Sequence, residues 1–503
     1  MRRNRANLIA QTCLTALLGL STNLSKADAT TSGTWNPLSH PLCSAGQPCV
    51  QATAPLLLTD GTVIIHVPSA GQWVRLTPDI NGSYINGTWS QIASLPAGYA
   101  PLYFASQVLP NGRVIINGGE YNFGVPVWTT LGAIYDPLTN TWTSVAPPAG
   151  WSTIGDAQSI VLPNGNYMLA NCCTKQQAIL DLATMNWTAT GANKADINDE
   201  EGWTLLADGS VLTVDANSPT NLTNSERYLA GTGGWISAGS TIVKLADTNA
   251  NNSGSHEMGP QVLRPDGTVF AVGATGATAI YHPASDVSPA FWSVGPYFPD
   301  VIGQGQFDVA DGPATVLPDG NVLVAASPGV FQKPTHMFEF DGSTLTRVAD
   351  PPNAQNESSY YGNMLVLPTG QILFTAFSSD IEIYDPTGTF KQPWRPTIEQ
   401  GPFTLVHGQT YQVYGRLFNG RSGGSAYGDD YQGATNYPLV RITNLATGHV
   451  FYCRTFNPDS ITPTNDGRVH TSFTVPSGIE LGDSILEVVT NGIPSKPKAA
   501  SVM

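Results

Sequence analysis

Charged side chains are scarce in this chain. Asp, Glu, Lys and Arg make up 12% of its 503 residues, about half the share that is usual in soluble domains. Beyond roughly the first 30 residues, the chain also lacks the long apolar 3.6-residue period that marks an extended helix. It has instead 51 glycines and 38 prolines, a composition typical of short strands and tight turns. We therefore expect an all-β protein, and the length favours two domains.

The first residues are basic, although the formal net charge of the chain is -15. Three arginines precede an apolar run at residues 8–20, and Ala27-Asp28-Ala29 follows it. This is the order of a secretory signal peptide, which we place at residues 1–29, so we expect a secreted protein, extracellular or periplasmic. The apolar run is too short to cross a bilayer and no longer run follows, so we expect no membrane partner. The acidity of the chain disfavours nucleic acid as a partner.

Cysteine is also rare, with six in the chain. Cys43 and Cys49 flank a short Gly/Pro-containing loop, and we expect them to form a disulfide in an oxidising compartment. Cys172 and Cys173 are adjacent, so they can pair only as a vicinal ring. Such a ring would be a redox or binding feature, and two free or partly buried thiols are the alternative.

One unit occurs seven times along the chain: an apolar run, a short turn that ends in glycine, and a second apolar run. The turns are Thr59-Asp60-Gly61, Pro110-Asn111-Gly112, Pro163-Asn164-Gly165, Ala207-Asp208-Gly209, Pro265-Asp266-Gly267, Pro318-Asp319-Gly320 and Pro368-Thr369-Gly370. Asp-Gly and Asn-Gly favour hairpins because both central positions can take positive φ. A period of about 50 residues is typical of kelch repeats. We predict a seven-bladed kelch-type β-propeller over residues 30–395, in which the segment around Trp35 completes the last blade.

The repeat stops after Trp394, and residues 396–503 contain alternating apolar and polar strands. About 100 residues in roughly seven short strands are typical of an immunoglobulin-like β-sandwich, which we predict as the second domain.

The inner strand of each blade begins at one mouth of the central channel, where propellers place their sites. Counting back from each turn predicts a ring of polar and aromatic residues there, and His256 lies one step further out. The ring residues are Tyr103, Asp156, Asp199, Glu200, His256, Glu257, Asp311, Tyr360 and Tyr361. Carboxylates that converge in this way bind a cation, share protons or face water.

Three functions suit such a mouth. It could hold a hard cation such as Ca²⁺, provide a general acid/base pair for glycosidic chemistry, or bind sugar hydroxyls beside the tyrosines. The alternative is that these are solvated strand-entry residues. The chain has no Gly-rich phosphate loop, Ser-centred elbow or zinc motif, and its other histidines show no metal-ligand spacing.

The predicted order of domains resembles galactose oxidase and glyoxal oxidase. The segments 194–203, 255–260 and 427–442, which include Ser255-His-Glu-Met-Gly-Pro260, are similar to those of bacterial secreted kelch-repeat proteins related to these oxidases. The resemblance implies a copper site built from a Tyr-His pair, a Tyr linked to Cys, and a His from a C-terminal loop. Here Tyr360-Tyr361 stands for the pair and Phe456 for the loop histidine. We therefore do not expect copper.

We predict a secreted, monomeric binding or accessory protein whose mouth recognises a glycan or small polar ligand, with Ca²⁺ as the candidate cofactor and the metal ligands left open. The alternative is a carbohydrate-active enzyme or an oxidase with a remodelled site on the same face. A scaffold without a ligand is the third hypothesis.

Overall fold

The computed structural model describes residues 33–42, 49–218, 221–246, 255–428, 430–431, 436–464 and 466–503. Regular structure in these residues is strand, apart from three short 3₁₀ turns at Ala354–Asn356, Ser359–Tyr361 and Gln392–Trp394. The all-β prediction is therefore confirmed. Within the described ranges, no helix is long and apolar enough to span a bilayer. The predicted signal peptide and Cys43 lie outside the described residues, and Cys49 is disulfide-bonded.

The strands are numbered in chain order. The first sixteen are β1 (Gly33–Pro37), β2 (Pro55–Leu57), β3 (Val63–His66), β4 (Trp73–Thr77), β5 (Thr88–Gln91), β6 (Pro101–Leu102), β7 (Ala105–Val108), β8 (Val114–Asn117), β9 (Tyr121–Asn122), β10 (Val125–Pro126), β11 (Gly132–Asp136), β12 (Thr141–Ser144), β13 (Ser159–Val161), β14 (Tyr167–Ala170), β15 (Gln177–Asp181) and β16 (Asn186–Thr190). The next seventeen are β17 (Thr204–Leu205), β18 (Val211–Val214), β19 (Asn224–Leu229), β20 (Gly234–Ser240), β21 (Met258–Leu263), β22 (Val269–Gly273), β23 (Thr278–His282), β24 (Phe291–Val294), β25 (Asp300–Val301), β26 (Gly305–Gln306), β27 (Ala314–Val316), β28 (Val322–Ala326), β29 (His336–Phe340), β30 (Leu345–Arg347), β31 (Gly362–Val366), β32 (Ile372–Ala376) and β33 (Glu382–Pro386). The last ten are β34 (Thr397–Gln400), β35 (Thr404–Leu405), β36 (Thr410–Arg416), β37 (Ser425–Ala426), β38 (Leu439–Asn444), β39 (Val450–Phe456), β40 (Val469–Thr474), β41 (Gly482–Thr490), β42 (Ile493–Pro494) and β43 (Lys498–Val502).

The repeat units fold into antiparallel sheets, which we call blades. From the channel outward they are β2-β3-β4-β5, β7-β8-β11-β12, β13-β14-β15-β16, β17-β18-β19-β20, β21-β22-β23-β24, β27-β28-β29-β30 and β31-β32-β33-β1, numbered one to seven in this order. First strands of neighbouring blades contact one another around the channel, as β2 does with β7, β7 with β13, β17 with β21, β21 with β27, β27 with β31, and β31 with β2. Apolar side chains fill the space between blades, as where Phe270 of blade five stacks on Phe340 of blade six with centroids 4.0 Å apart.

The ring is closed by its first strand. β1 pairs with β33, so that Trp35 lies opposite Tyr384. The two rings are 4.9 Å apart, and the Trp35 indole nitrogen donates to the Ala349 carbonyl at 2.7 Å. The N-terminal strand is therefore the outer strand of blade seven.

The inner hairpin turns differ in type from the expectation that both central residues take positive φ. In the first turn, Gly61 has a φ of +78° whereas Asp60 is not among the residues with positive φ. The Gly61 amide donates to the Leu58 carbonyl and the Asp60 carboxylate accepts from the Thr62 amide. This is a three-residue turn with glycine in the left-handed position, in which Asp contributes a side-chain acceptor. The same arrangement recurs at Asp208, Asp266 and Asp319.

The C-terminal residues form one connected set of nine strands, ordered β34-β36-β40-β39-β38-β41-β43-β35, with β42 beside β41. β39 pairs with β38 along its first half and with β40 along its second half. Buried residues such as Val413, Cys453 and Phe473 form the core that these strands enclose.

The C-terminal domain packs on the face of the ring that carries the turns. Amide groups of Val450, Thr455 and Asn457 donate to carbonyls of blades one and two, at 2.8, 3.1 and 2.7 Å. From this face, residues 423–428, 430–431 and 436–437, the described part of the segment after β36, enter the central channel, and we call these residues the plug. β37 of the plug pairs with β27 of blade six, and Thr315 and Ser425 share a 2.6 Å hydrogen bond. The plug brings its tip to the mouth on the opposite face.

Candidate ligand site at the mouth of the channel

Three of the predicted carboxylates come together at the mouth. Ligand oxygens of Glu200, Glu257 and Asp311 all lie within 4.8 Å of one another, and each side chain is half-buried. We call them the acidic triad. They come from blades four, five and six, so they lie close together because these three blades are neighbours around the channel.

The backbone at these positions is unusual. Glu200 has a φ of +59°, Asp311 of +51° and Tyr103 of +51°. Left-handed backbone costs a non-glycine residue on the order of 1 kcal/mol, and such residues cluster at functional sites. The tertiary structure therefore holds these side chains in place against their local preference.

The backbone of the plug packs directly against the acidic triad. A Cβ atom on Gly428 would lie 2.5 Å from an Asp311 carboxylate oxygen and 2.9 Å from the Met258 carbonyl. Glycine is thus required at this point of the plug because the backbone passes directly under blades five and six. The nearby Asp430 and Tyr431 are also buried.

Asp199, the neighbour of Glu200, belongs to a different group. Its Oδ1 lies 3.1 Å from Cys173 Sγ and 3.7 Å from Cys172 Sγ. The two cysteines form a vicinal disulfide, as one of the two alternatives expected from the sequence. Burial raises the pKa of Asp199, while the nearby His256 lowers it. His256 Nδ1 lies 3.1 Å from the Ala216 carbonyl, which can only accept, so Nε2 is the nitrogen left for a ligand.

A buried ion cluster fixes the loop that carries Asp199 and Glu200. Lys194 Nζ lies 2.6 Å from Glu226, 3.1 Å from Glu201 and 3.5 Å from Asp215, and none of these side chains is more than 3% exposed. Burial lowers the pKa of Lys194, but the three carboxylates raise it above its usual value. Burial raises the pKa of Asp215 to about 7 and that of Glu201 well above its usual range. The ammonium group thus occupies the centre of this carboxylate cluster and anchors the loop.

Aromatic rings line the side of the mouth formed by blades two, six and seven. Tyr103 lies between Tyr121, Phe377 and Tyr431, with centroid distances of 6.2, 6.1 and 6.0 Å. Tyr361 continues the row, 5.3 Å from Phe377 and 4.0 Å from Tyr360. We call these rings, together with Phe331 beside Tyr360, the aromatic arc. Burial and the nearby Tyr360 and Asp311 raise the pKa of Tyr103, so its phenol stays protonated.

The predicted ring residues therefore fall into separate groups. Glu200, Glu257 and Asp311 form the triad, Asp199 joins the cysteines and is influenced by His256, and Tyr103, Tyr360 and Tyr361 belong to the arc. Asp156 acts electrostatically on Tyr103 and Tyr121. Sequence reasoning missed Tyr121, Phe377 and the plug residues. The Tyr427-Gly-Asp-Asp-Tyr motif was the available signal for the plug, but nothing in it indicates a place in the channel.

The sequence comparison placed Phe456 where the related oxidases have a copper-binding loop histidine, and this placement was wrong. Phe456 lies in β39 opposite Ser472, and the adjacent Asn457 donates to the Pro110 carbonyl on the turn face. The segment that reaches the mouth from the C-terminal domain is instead the plug, through Tyr427 and Tyr431.

The fold was compared with known proteins. No family model matches the chain. The Kelch-like protein terF of Aspergillus terreus is 30% identical over 86 residues, which is 17% of this chain and 18% of that protein. A fungal alcohol oxidase of the AA5 family, solved in complex with copper, superposes with a TM-score of 0.51 at 14% identity and covers 94% of this chain and 100% of its own. A streptogramin B lyase covers 70% of this chain and 97% of its own, with a TM-score of 0.46 at 11% identity. The fold is that of a kelch, galactose oxidase-like β-propeller.

The residues at the mouth do not suit copper. Imidazole nitrogen suits Cu(II), whereas the groups of three or more His, Cys, Asp and Glu donors that the described residues bring together contain no histidine. The rings of Tyr360 and Tyr361 pack against each other at an angle of 37°, and the plug contributes tyrosine and aspartate. The donors of the acidic triad are all carboxylate oxygen atoms.

Proposed function

We propose that this is a secreted protein with a seven-bladed kelch-type propeller at residues 30–395 and an immunoglobulin-like domain at 396–503, and that its mouth binds a glycan. The observation that carries the proposal is the position of the acidic triad beside the aromatic arc. Phe331 is 41% exposed, and Tyr361 is half-buried. Such rings present apolar faces to sugar C–H groups, while carboxylates accept hydrogen bonds from hydroxyls.

The charge of the mouth narrows the class of glycan. Glu200, Glu257 and Asp311 would repel uronic acids and sulfated sugars, and they attract amino groups. A neutral or amino-bearing glycan is therefore the favoured ligand.

A hard cation fits the triad as a cofactor. Two oxygens that share one Ca²⁺ are at most about 5 Å apart, because each Ca–O bond is 2.3–2.6 Å long. The oxygens of the triad lie within 4.8 Å of one another. Ca²⁺ would offset the repulsion among three carboxylates and bridge them to sugar hydroxyls. Copper-radical oxidase activity is not part of this proposal, because the oxygen donors do not suit copper.

A carbohydrate-active enzyme is the second candidate. Retaining glycosidases hold two carboxyl groups about 5 Å apart, and the separation within the triad is of this order. One member would then act as the acid and another as the nucleophile.

A glycan array, probed with and without Ca²⁺ and combined with elemental analysis, tests the proposal. Glu257→Gln and Asp311→Asn should weaken glycan binding by about 1–3 kcal/mol, as expected for the loss of a charged hydrogen-bond acceptor. The matched controls are Asp136→Asn and Asp385→Asn, which change acids of the outer strands.

Equal binding by the triad variants and the controls contradicts the proposal. Release of reducing sugar from the bound glycan identifies the enzyme instead. Peroxide formation from galactose or glyoxal that follows copper loading overturns the assignment of an oxygen-donor site.

A further inference from the structure

The vicinal cysteine pair is held from both sides by the backbone. Cys172 follows β14 of blade three, and its amide donates to the Ile154 carbonyl at 2.9 Å. The Cys173 amide donates to the Asn198 carbonyl of the neighbouring loop at 3.3 Å. Cys172 is 3% exposed and Cys173 is half-buried. The pair thus has a fixed place that does not depend on the bond between its sulfur atoms.

The loop that carries Asp199 is tied to the loop of the cysteines. The Asn198 side chain donates to the Thr174 and Gln176 carbonyls at 2.7 and 3.0 Å. Gln177 donates to the Asn198 side-chain oxygen at 2.7 Å, and Asn217 donates to the Asp199 carbonyl at 2.8 Å. These bonds fix the distance between the carboxylate and the two sulfur atoms.

The carboxylate lies where a dithiol needs an acceptor. Two thiols at Cys172 and Cys173 could each donate to Asp199 Oδ1, which is 3.7 and 3.1 Å away. A disulfide has no proton to donate. The surroundings therefore suit the reduced pair better than the oxidised one.

Both sulfur atoms and Asp199 Oδ1 lie within 4.8 Å of one another. We propose that Cys172, Cys173 and Asp199 form a redox-gated site for one thiophilic divalent cation, such as Zn²⁺ or Cd²⁺. Two thiolates and one carboxylate are three of the four ligands of a tetrahedral site, and the fourth position is open to water. Thiolate ligands select this class of metal over Ca²⁺, so the site and the acidic triad take different ions.

The redox state of the Cys172–Cys173 disulfide controls whether the site can bind a cation. A dithiol reductant passes two electrons and two protons to the disulfide, which becomes two thiols, while the reductant becomes a disulfide. The cation then displaces one proton from each thiol to solvent. The oxidised protein has no thiolate to offer and should bind no thiophilic cation at this place.

The test uses the full mature chain and Cd²⁺ as the only probe. Peptide mapping without reduction first establishes the Cys172–Cys173 bond. After treatment with a dithiol and its removal under anaerobic conditions, Cd²⁺ should produce an ultraviolet thiolate-to-metal band that saturates at about one equivalent. The untreated protein should show no band. Asp199→Asn in the reduced protein should weaken Cd²⁺ binding by about tenfold or more, since it removes a ligand.

Every Cd²⁺ titration is made in a Cys43→Ser/Cys49→Ser background, because the disulfide of Cys49 is also open to the dithiol. Two further variants provide controls for the remaining cysteines. Cys453→Ser should leave the band unchanged, because Cys453 is buried in the C-terminal core and burial raises the pKa of its thiol. Cys172→Ser/Cys173→Ser should abolish the band while retaining the thermal transition. A band that persists in the double variant, a reduced protein without a band, or a pair that stays oxidised in excess dithiol each overturns the proposal.

Discussion

The hydroxyl of Tyr427 in the plug donates a 2.5 Å hydrogen bond to the backbone carbonyl of Tyr360 in blade seven. Tyr360 belongs to the aromatic arc, so a residue of the C-terminal domain determines the position of part of the mouth. The amide of Tyr103 makes the corresponding contact with the hydroxyl of Tyr431, at 3.0 Å. The two domains therefore build the mouth together.

Tyr427→Phe removes this contact without changing the shape of the ring. We expect the free energy of unfolding to fall by about 1–2 kcal/mol, because a half-buried carbonyl loses its donor. Ligand affinity should also fall, because the position of Tyr360 in the aromatic arc is no longer fixed. Thermal unfolding and ligand titration measure the two effects. Tyr414→Phe is the matched control: its hydroxyl donates to the exposed Gln412 side chain, and the change should stay within about 0.5 kcal/mol.

Asp308→Asn should make stability less dependent on pH. Burial raises the pKa of Asp308 to about 7, so the folded protein holds a proton that the unfolded chain releases above about pH 4. The stability from this proton is complete at acidic pH and is lost as pH rises through about 7. Relative to the wild type, the variant should gain roughly 2–4 kcal/mol of unfolding free energy between pH 5 and pH 8.5. Chemical denaturation at the two pH values measures this, and an equal gain at both would contradict it.

Lys194→Gln removes the cation from its buried cluster. Three carboxylates then remain without their counter-charge, and we expect a loss of about 3–5 kcal/mol at pH 7.5. The loss should shrink at pH 5, because Asp215 and Glu201 take up protons there. Urea unfolding at both pH values tests this expectation. Lys496→Gln, at an exposed position, should change stability by no more than about 0.5 kcal/mol, and a similar result for both lysines would show that the cluster does not anchor the loop.

Trp35→Ala tests the closure of the ring. The substitution removes the contact with Tyr384 and the hydrogen bond to Ala349, and we expect a loss of about 3 kcal/mol or more. Limited proteolysis should then cut first near residue 33. Trp89→Ala on the outer strand of blade one is the control, because it closes no ring. If both variants lose the same free energy of unfolding and are cut at the same rate, β1 does not stabilise the closed ring more than an ordinary outer strand does.

Local chemistry made much of the fold predictable. Each inner hairpin depends on turn residues that are adjacent in sequence, so the repeat is visible in the sequence itself. Trp35 could be assigned to the last blade because seven units of about 50 residues fill the span from Trp35 to Trp394. The turn type was wrong because Asp60 contributes a carboxylate acceptor rather than a left-handed backbone. The pattern shows the residue types but not the φ angle that each one takes.

The site was only partly predictable. Counting back from the turns found Glu200, Glu257 and Asp311, since strand length fixes where each inner strand begins. It did not separate Asp199 from Glu200, because left-handed backbone at Glu200 sends adjacent side chains in different directions. The plug was missed since its partners, such as Thr315 for Ser425, lie far away in the sequence.

The pairing of β1 with β33 also sets the order of events when the chain folds. Closing a loop of about 350 residues costs on the order of 5 kcal/mol of chain entropy. In addition, β1 is synthesised first and cannot pair until β33 has been synthesised. At roughly 5–20 residues per second, this wait lasts tens of seconds. During that time β1 has an unpaired edge, which is the kind of surface on which other chains add strands. The interval before the ring closes, more than the strength of any single blade, is when this protein is most open to misassembly.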